Sequence, residues 1–472
     1  MYKRLTAAVS TSVLVSLPIA TMTMLAPGAV SIRNDLRLHN PRILQFVVSF
    51  ANLAGGVGPL FVAPQSEVYG RRRMVYICTA LFLAFNTGAS FSQTALQLGV
   101  LRTLAAFFGC ALKPIANGIL ADCFEKKKMG MAGSIYAAVP LILPSLSPWI
   151  GGYLVQYASW RWICHSLSIF GAIALVAALF LVPETHAPTI LKKKVRRKFP
   201  FAHIELGRQS QLKRIQAETS SMDLYVAHYA DDDQPRFRAI IRPFEMYSEL
   251  VVWLFMAYQA LIVGIYFVIM YTFTMLWRKN YGQPVNIAGL HYLANSFGFA
   301  LGGLASMLND RTYNLLTRRT GVARPENRMP VMILGAILVP VGLFWYGWTA
   351  QFGTHWLLVD SGLTIYSCGY VIGTMSFYTY IVDYYGEYAA SATAAVNLGT
   401  GVVGFVLPLS GYAINDGLGY GWANTTLGLV SLALGVPVPI ILWKCGDKFR
   451  RRSTWHRAGQ EALTRGPQSA RL

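Results

Sequence analysis

The chain has 472 residues, of which 54% are hydrophobic and 13% charged, with a mean hydropathy of +0.41 and a formal net charge of +20. A soluble core of ordinary size cannot hide that much apolar surface, which excludes a soluble globular protein and places the chain in a bilayer. The positive charge would point to nucleic acid only if it formed a patch on one folded domain; here it is spread over the connections between apolar runs, so no nucleic-acid partner is expected.

Runs of about 20 apolar residues cross hydrocarbon as helices because each satisfies its own backbone polar groups. In chain order the sequence predicts twelve: residues 5–26, 44–63, 74–91, 96–121, 131–155, 162–182, 250–275, 286–308, 330–349, 355–379, 389–412 and 422–443. The first follows Lys3-Arg4 but is long for a signal peptide, and it is read as a retained span. With the amino terminus cytoplasmic, most of the 41 Lys and Arg fall in the even-numbered connections and the two tails, as the positive-inside rule requires. The basic charge then faces the anionic cytoplasmic leaflet. Both termini are expected in the cytoplasm.

The spans divide into an N-terminal six-helix bundle (residues 1–183), a cytoplasmic linker (184–245), a C-terminal six-helix bundle (246–444) and a basic tail (445–472). The linker carries the run Lys192-Lys-Lys-Val-Arg-Arg-Lys198 and a basic, helix-like segment at 206–219 that reads as a solvated connector or as a helix on the membrane surface. Leu5 and Leu250 open the two halves, and Asp310 occupies the connection equivalent to the one holding Glu67, a faint echo of parallel repeats enclosing a midplane site. The six cysteines show no CxxC spacing and the eight histidines no catalytic or zinc-binding pattern, so neither an enzyme nor a cofactor is expected.

The connection between the second and third spans, residues 58–73, packs two prolines, two glycines, one acid and three arginines into a tight turn. Glu67, Gly70, Arg71, Arg72 and, at the end of the fourth span, Asp122 are candidates for an ion-pair latch at the cytoplasmic face. The competing role for the arginines is plain anchoring. In the fourth span Arg102 and Lys113 stand 11 residues apart, which on a continuous helix puts them on one face about 16 Å apart, with Asn117 one turn further. A charge at mid-span costs about 2.5 to 3.5 kcal/mol and needs compensation, so this face is expected to line a cavity. Lys113 either snorkels to the cytoplasm, faces cargo or titrates.

In the fifth span Pro148, Gly151 and Gly152 thin or kink the helix so that a neighbour can approach. Tyr136, Tyr258, Gln259, Tyr266, Asn295, Tyr378 and Asn397 are the aromatic and amide candidates for contact with cargo, against the alternative of belt and packing roles. The first span has no acid; Glu249, before the seventh span, and Asp360, near the outer end of the tenth, are the possible proton-linked acids. Asp122 and Asp383 are placed to pair with cytoplasmic arginines.

Taken in order, Gly58-Pro-Leu…Pro64-Gln-Ser-Glu67-Val-Tyr-Gly70-Arg-Arg, Arg102, Ser147-Pro148-Trp-Ile-Gly151-Gly152, Trp160-Arg-Trp162, Pro183-Glu184-Thr185, Arg242-Pro243-Phe244, Pro325-Glu326, Tyr380-Ile-Val-Asp383-Tyr and Ser391-Ala392 resemble the major facilitator superfamily, in its fungal twelve-span drug:proton antiporter branch. Arg102 fits that family's membrane-embedded arginine, and the fifth-span element resembles the one associated with antiporters; Lys113 and Leu250 depart from the pattern. The resemblance implies an all-α major facilitator fold and a monomer in the plasma membrane. It further implies export of a drug, toxin or secondary metabolite driven by the proton gradient. An uptake permease for a small organic anion is the nearest rival, supported by Lys113. A non-transporting receptor or sensor fits the spans as well, whereas a membrane enzyme would need a cluster of His, Asp or Ser at one face.

Overall fold

The computed structural model describes residues 2–38, 40–123, 129–185, 189–190, 236–322, 324–453 and 455. All regular structure among them is helical. The predicted segment 206–219 and the side chains of Glu67, Asp122 and Tyr136 lie outside the described residues.

The first half comprises α1 (Tyr2–Met24), a short turn at Ala26–Gly28, α2 (Ala29–Asp35), α3 (Pro41–Tyr69), α4 (Arg71–Ser90), α5 (Ala95–Cys110), α6 (Leu112–Cys123), α7 (Met129–Tyr157) and α8 (Arg161–Leu181). After the linker come α9 (Arg236–Glu245), α10 (Leu250–Lys279), α11 (Val285–Leu290), α12 (Tyr292–Thr320), α13 (Met329–Gln351), α14 (Trp356–Tyr385), α15 (Ala389–Gly435) and α16 (Pro437–Arg452).

Every predicted span coincides with helix, but three are interrupted. The fourth breaks at Ala111 into α5 and α6, because Pro114 has no N–H to return to the carbonyl of Cys110. The eighth breaks at His291, where no proline intervenes. The twelfth begins inside α15, after Gly419 turns to a φ of +75°, and restarts as α16 behind Pro437.

Eight stretches among the described residues are long and apolar enough to cross a membrane. The other expected spans include α4, α12 and α14, some of whose polar side chains bond to neighbouring helices. Asn86 donates to Ser168 at 2.8 Å and to the Cys164 carbonyl at 3.0 Å; Asn295 accepts from Ser367 at 2.7 Å; Asn309 donates to Thr379 at 3.0 Å. Such bonds make a polar helix compatible with a bilayer when it faces protein.

One large buried apolar cluster runs from Leu14 to Val182 and two others fall between Met246 and Leu442, while a small fourth, Met22, Ala51, Ala54 and Ala106, has Phe267 of the second half packed against it. The halves meet along two seams. On the first, α3 lies against α15: Asn52 donates to the Gly404 carbonyl at 2.8 Å, Gln45 donates to the carbonyl of Pro408, and Gly56 faces Gly401. On the second, α7 meets α11 and α12, with the Asn286 amide donating to Gln156 Oε1 at 3.0 Å.

Candidate functional site

Between the two seams the candidate side chains fall into a buried group and an accessible one. Arg102, on α5, is 3% exposed; its Nη2 reaches the Thr21 carbonyl at 3.4 Å, while Nε and Nη1 have no hydrogen-bond partner among the described residues. Asn52 of α3 and Tyr271 of α10 share a hydrogen bond of 3.3 Å and bring the second half into this region. A guanidinium with one long hydrogen bond in an apolar interior is expensive, as sites kept for function are.

Lys113 is exposed, and the break at Ala111 separates its helix from that of Arg102. The continuous face inferred from 3.6-residue periodicity is therefore interrupted between the two charges. Lys113 shares its own exposed face of α6 with Asn117. Its ammonium stands 3.3 Å from the Tyr378 hydroxyl and 4.8 Å from that ring's centre, a cation–π contact between the two halves.

The remaining aromatic and amide candidates divide in the same way. Tyr266 stacks on Tyr370 with ring centres 5.1 Å apart and on Phe299 at 5.9 Å. Gln259 is buried with Oε1 lacking a partner among the described residues, and Tyr258 is fully buried in the core. Asn295 is committed at both ends, to Ser367 at 2.7 Å and to Ser145 of α7 at 3.4 Å. Asn397 lies on the seam, its carbonyl opposite Gly56.

The arginine turn is built around Gly70, whose φ of +94° lets α3 end and α4 begin within one residue. The Arg71 amide donates to Glu184 Oε1 at 3.1 Å, and its guanidinium lies across Gly118, where a Cβ would overlap it. Arg72 donates to the Tyr76 hydroxyl at 2.7 Å and to the Leu179 carbonyl at 2.9 Å. These contacts tie the turn to α6 and the end of α8 in its own half. In the other half, Arg328 pairs with Asp383 at 2.5 Å and Asp310 at 3.1 Å, so Asp383 meets an arginine as expected.

Pro148, Gly151 and Gly152 serve close approach. A Cβ on Gly151 would come 2.5 Å from the Met24 carbonyl of α1, and one on Gly152 would lie 2.8 Å from the Val285 carbonyl of α11, while the Pro148 carbonyl lies beside Gly289. Small residues let helix backbones touch here.

The two acids are both engaged. Glu249 accepts from the Tyr385 hydroxyl at 2.8 Å, from Ser453 at 2.5 Å and from the Trp455 amide at 3.3 Å, pinning the chain beyond α16 to the start of α10. Asp360 Oδ2 meets His291 Nδ1 at 2.7 Å. Sequence reading missed His291, although a histidine within a predicted apolar span is a signal in itself.

The sequence model described as Major Facilitator Superfamily matches residues 9–408. The MFS transporter cpaT of Aspergillus oryzae is 33% identical over 440 residues, covering 92% of this chain and 85% of that protein. The efflux pump vrtL of Penicillium aethiopicum is 32% identical over 437 residues, covering 92% of this chain and 83% of its own. Among solved structures, the xylose transporter XylE from E. coli, in a partially occluded inward open conformation, superposes with a TM-score of 0.64 at 16% identity over 94% of this chain and 98% of its own. An all-helical chain of apolar spans whose sequence matches the family over most of its length is a multi-pass membrane transporter, and it belongs to the Major Facilitator Superfamily.

Proposed function

We propose that the chain exports a hydrophobic or amphipathic small molecule, such as a drug, toxin or fungal secondary metabolite, against inward-moving protons. In this reading twelve spans form two six-helix bundles, residues 1–183 and 246–444, around a central cavity that opens alternately to each side. The chain works as a monomer in the plasma membrane with both termini and the 184–245 linker cytoplasmic. No cofactor takes part.

The observation that carries the reading is Arg102. A charge buried in the first half beside Tyr271 of the second, with most of its hydrogen-bonding capacity unused, suits a group whose partners change between two states. The efflux pumps among its relatives support the direction of transport. A second reading, uptake of a small organic anion, draws support from the exposed Lys113 ammonium.

The test is expression in a drug-sensitive host, with retention of acidic, neutral and cationic compounds compared between cells carrying the wild type and cells carrying Arg102→Ala. Lower retention of at least one class, reversed by dissipating the proton gradient, is expected. Higher retention of the acids driven by the chain would replace export with uptake.

A further inference from the structure

His291 interrupts the eighth span where no proline does, and its ring is held on every side. Nδ1 meets Asp360 Oδ2 at 2.7 Å, Nε2 meets Gln283 Oε1 at 2.9 Å, and the indole of Trp277 lies flat on the ring with centres 3.5 Å apart and planes 5° off parallel. Trp356 closes the edge at 5.9 Å. Both residues of the pair are buried, at 8% exposure each, and Asp360 Oδ1 has no hydrogen-bond partner among the described residues.

The pair has a route to water and a mechanical connection. Gln283 lines an open cleft with Asn34, Gln156, Arg278, Pro284 and Val285, so its amide stands between the cleft and the imidazole. Directly before His291 lies α11, the short helix that seats against α7 through Gly152, Gly289 and the Gln156 bond. His291 is the joint between that seat and α12.

We propose that His291 and Asp360 form a proton-binding site, reached from the outer cleft through Gln283, whose occupancy sets how tightly α11 seats against α7. The proposal rests on the export reading for its orientation and names the site at which the driving proton binds.

A carboxylate accepts the imidazole Nδ1–H and fixes the ring. Nε2 then faces a second acceptor, Gln283 Oε1, so a further proton ends on Nε2 and is donated to that oxygen. The ring is then bonded at both nitrogens, to Asp360 of α14 and to Gln283 ahead of α11, and the segment between Gln283 and His291 is held at both ends. Acid outside therefore favours seating of α11 against α7. Neighbouring titratable groups do not substitute for the pair. The phenol of Tyr281, beyond α10, donates to the Thr354 carbonyl at 2.9 Å and is raised by burial and then by the Asp360 carboxylate, so it stays neutral. The Tyr292 hydroxyl of α12 donates to the Met270 carbonyl at 2.8 Å, and Tyr346 of α13 is buried. Arg278 lines the cleft, and the ring of His355 lies against the far indole, Trp356, at 5.3 Å.

The test uses the purified full-length chain in lipid nanodiscs without cargo. Infrared difference spectra on acidification from about pH 8 to about pH 5 are expected to show the ring stretch of a newly formed imidazolium. The band should be lost in His291→Gln and displaced in midpoint by Asp360→Asn. In parallel, cross-linking between cysteines at positions 156 and 286 should rise at least about threefold over the same range, and should be insensitive to pH in His291→Gln. A band that survives His291→Gln, or a midpoint indifferent to Asp360→Asn, overturns the proposal; so does cross-linking that ignores pH in the parent. Since no cargo is required, failure of the site and failure of the export reading are separate results.

Discussion

Gly56 and Gly401 face each other across the seam between the two halves: a methyl added to Gly56 would lie 3.0 Å from the Gly401 Cα and 2.7 Å from the Asn397 carbonyl. Neither obstacle is a side chain that can rotate away. Gly56→Leu must therefore push α3 from α15 and strain the Asn52 and Gln45 bonds on the same seam. Overpacking of this kind costs about 1 to 3 kcal/mol. Thermal unfolding in detergent should show the loss, while Gly303→Leu, at a glycine with open space around its Cα, should leave the transition unmoved.

Arg102 tests whether stability and transport part company. Its single hydrogen bond among the described residues, to Thr21 at 3.4 Å, is a poor return for burying a guanidinium. Replacing a buried, poorly compensated charge by an apolar side chain of similar length is often neutral or stabilising. Arg102→Met is expected to unfold no earlier than wild type and yet to export at least about tenfold more slowly, a barrier difference of about 1.4 kcal/mol. Reduced thermal stability with intact export would assign the arginine to the scaffold.

Much of this organisation is written in the sequence in a form that simple physics can read. Apolar run length located the long helices, though not the short α2 and α9, and Asp383 was placed beside an arginine that it does meet at 2.5 Å. Where the reading stopped, the reason lies in what periodicity omits. Counting 100° per residue across Arg102 and Lys113 assumed a continuous helix, and Pro114 breaks it. Gln283, His291 and Asp360 lie on three separate elements, so only tertiary packing brings them together. The partners of Glu249, Tyr385 and Ser453, are distant in the chain, so its place at the start of the seventh span did not reveal them.

Those surroundings lead to a prediction for Glu249. Three donors converge on its carboxylate, and hydrogen bonds to a charged group contribute about 1.5 to 3 kcal/mol each. Glu249→Ala should release the segment around Ser453 and Trp455, uncovering the neighbouring Arg450 and letting trypsin cut there at a lower protease concentration than in wild type. Glu249→Gln, which keeps the shape and one acceptor oxygen, should retain the dependence of export on the proton gradient. Loss of that dependence in the amide would return Glu249 to the proton pathway.

Lys113 and Tyr378 form another link between the halves, at the end opposite the α7–α11 seat. An exposed cation–π contact is worth about 0.5 to 1 kcal/mol, too little to hold the halves closed and little enough to be broken in each cycle. Lys113→Ala should thus leave the unfolding midpoint nearly unchanged. Its effect should appear in selectivity, because an ammonium on the accessible face of α6 attracts acidic cargo and repels cationic cargo. Export of acids is expected to fall several-fold more than export of neutral compounds, and that of cations to hold or rise. Tyr378→Phe separates the two roles of the tyrosine: the ring still meets the ammonium, but the 3.3 Å hydroxyl contact is gone. If Lys113 acts on cargo as a charge, the phenylalanine variant keeps the preference for acids. Equal handling of acidic and neutral compounds by Lys113→Ala and wild type would reduce this lysine to a cytoplasm-facing anchor.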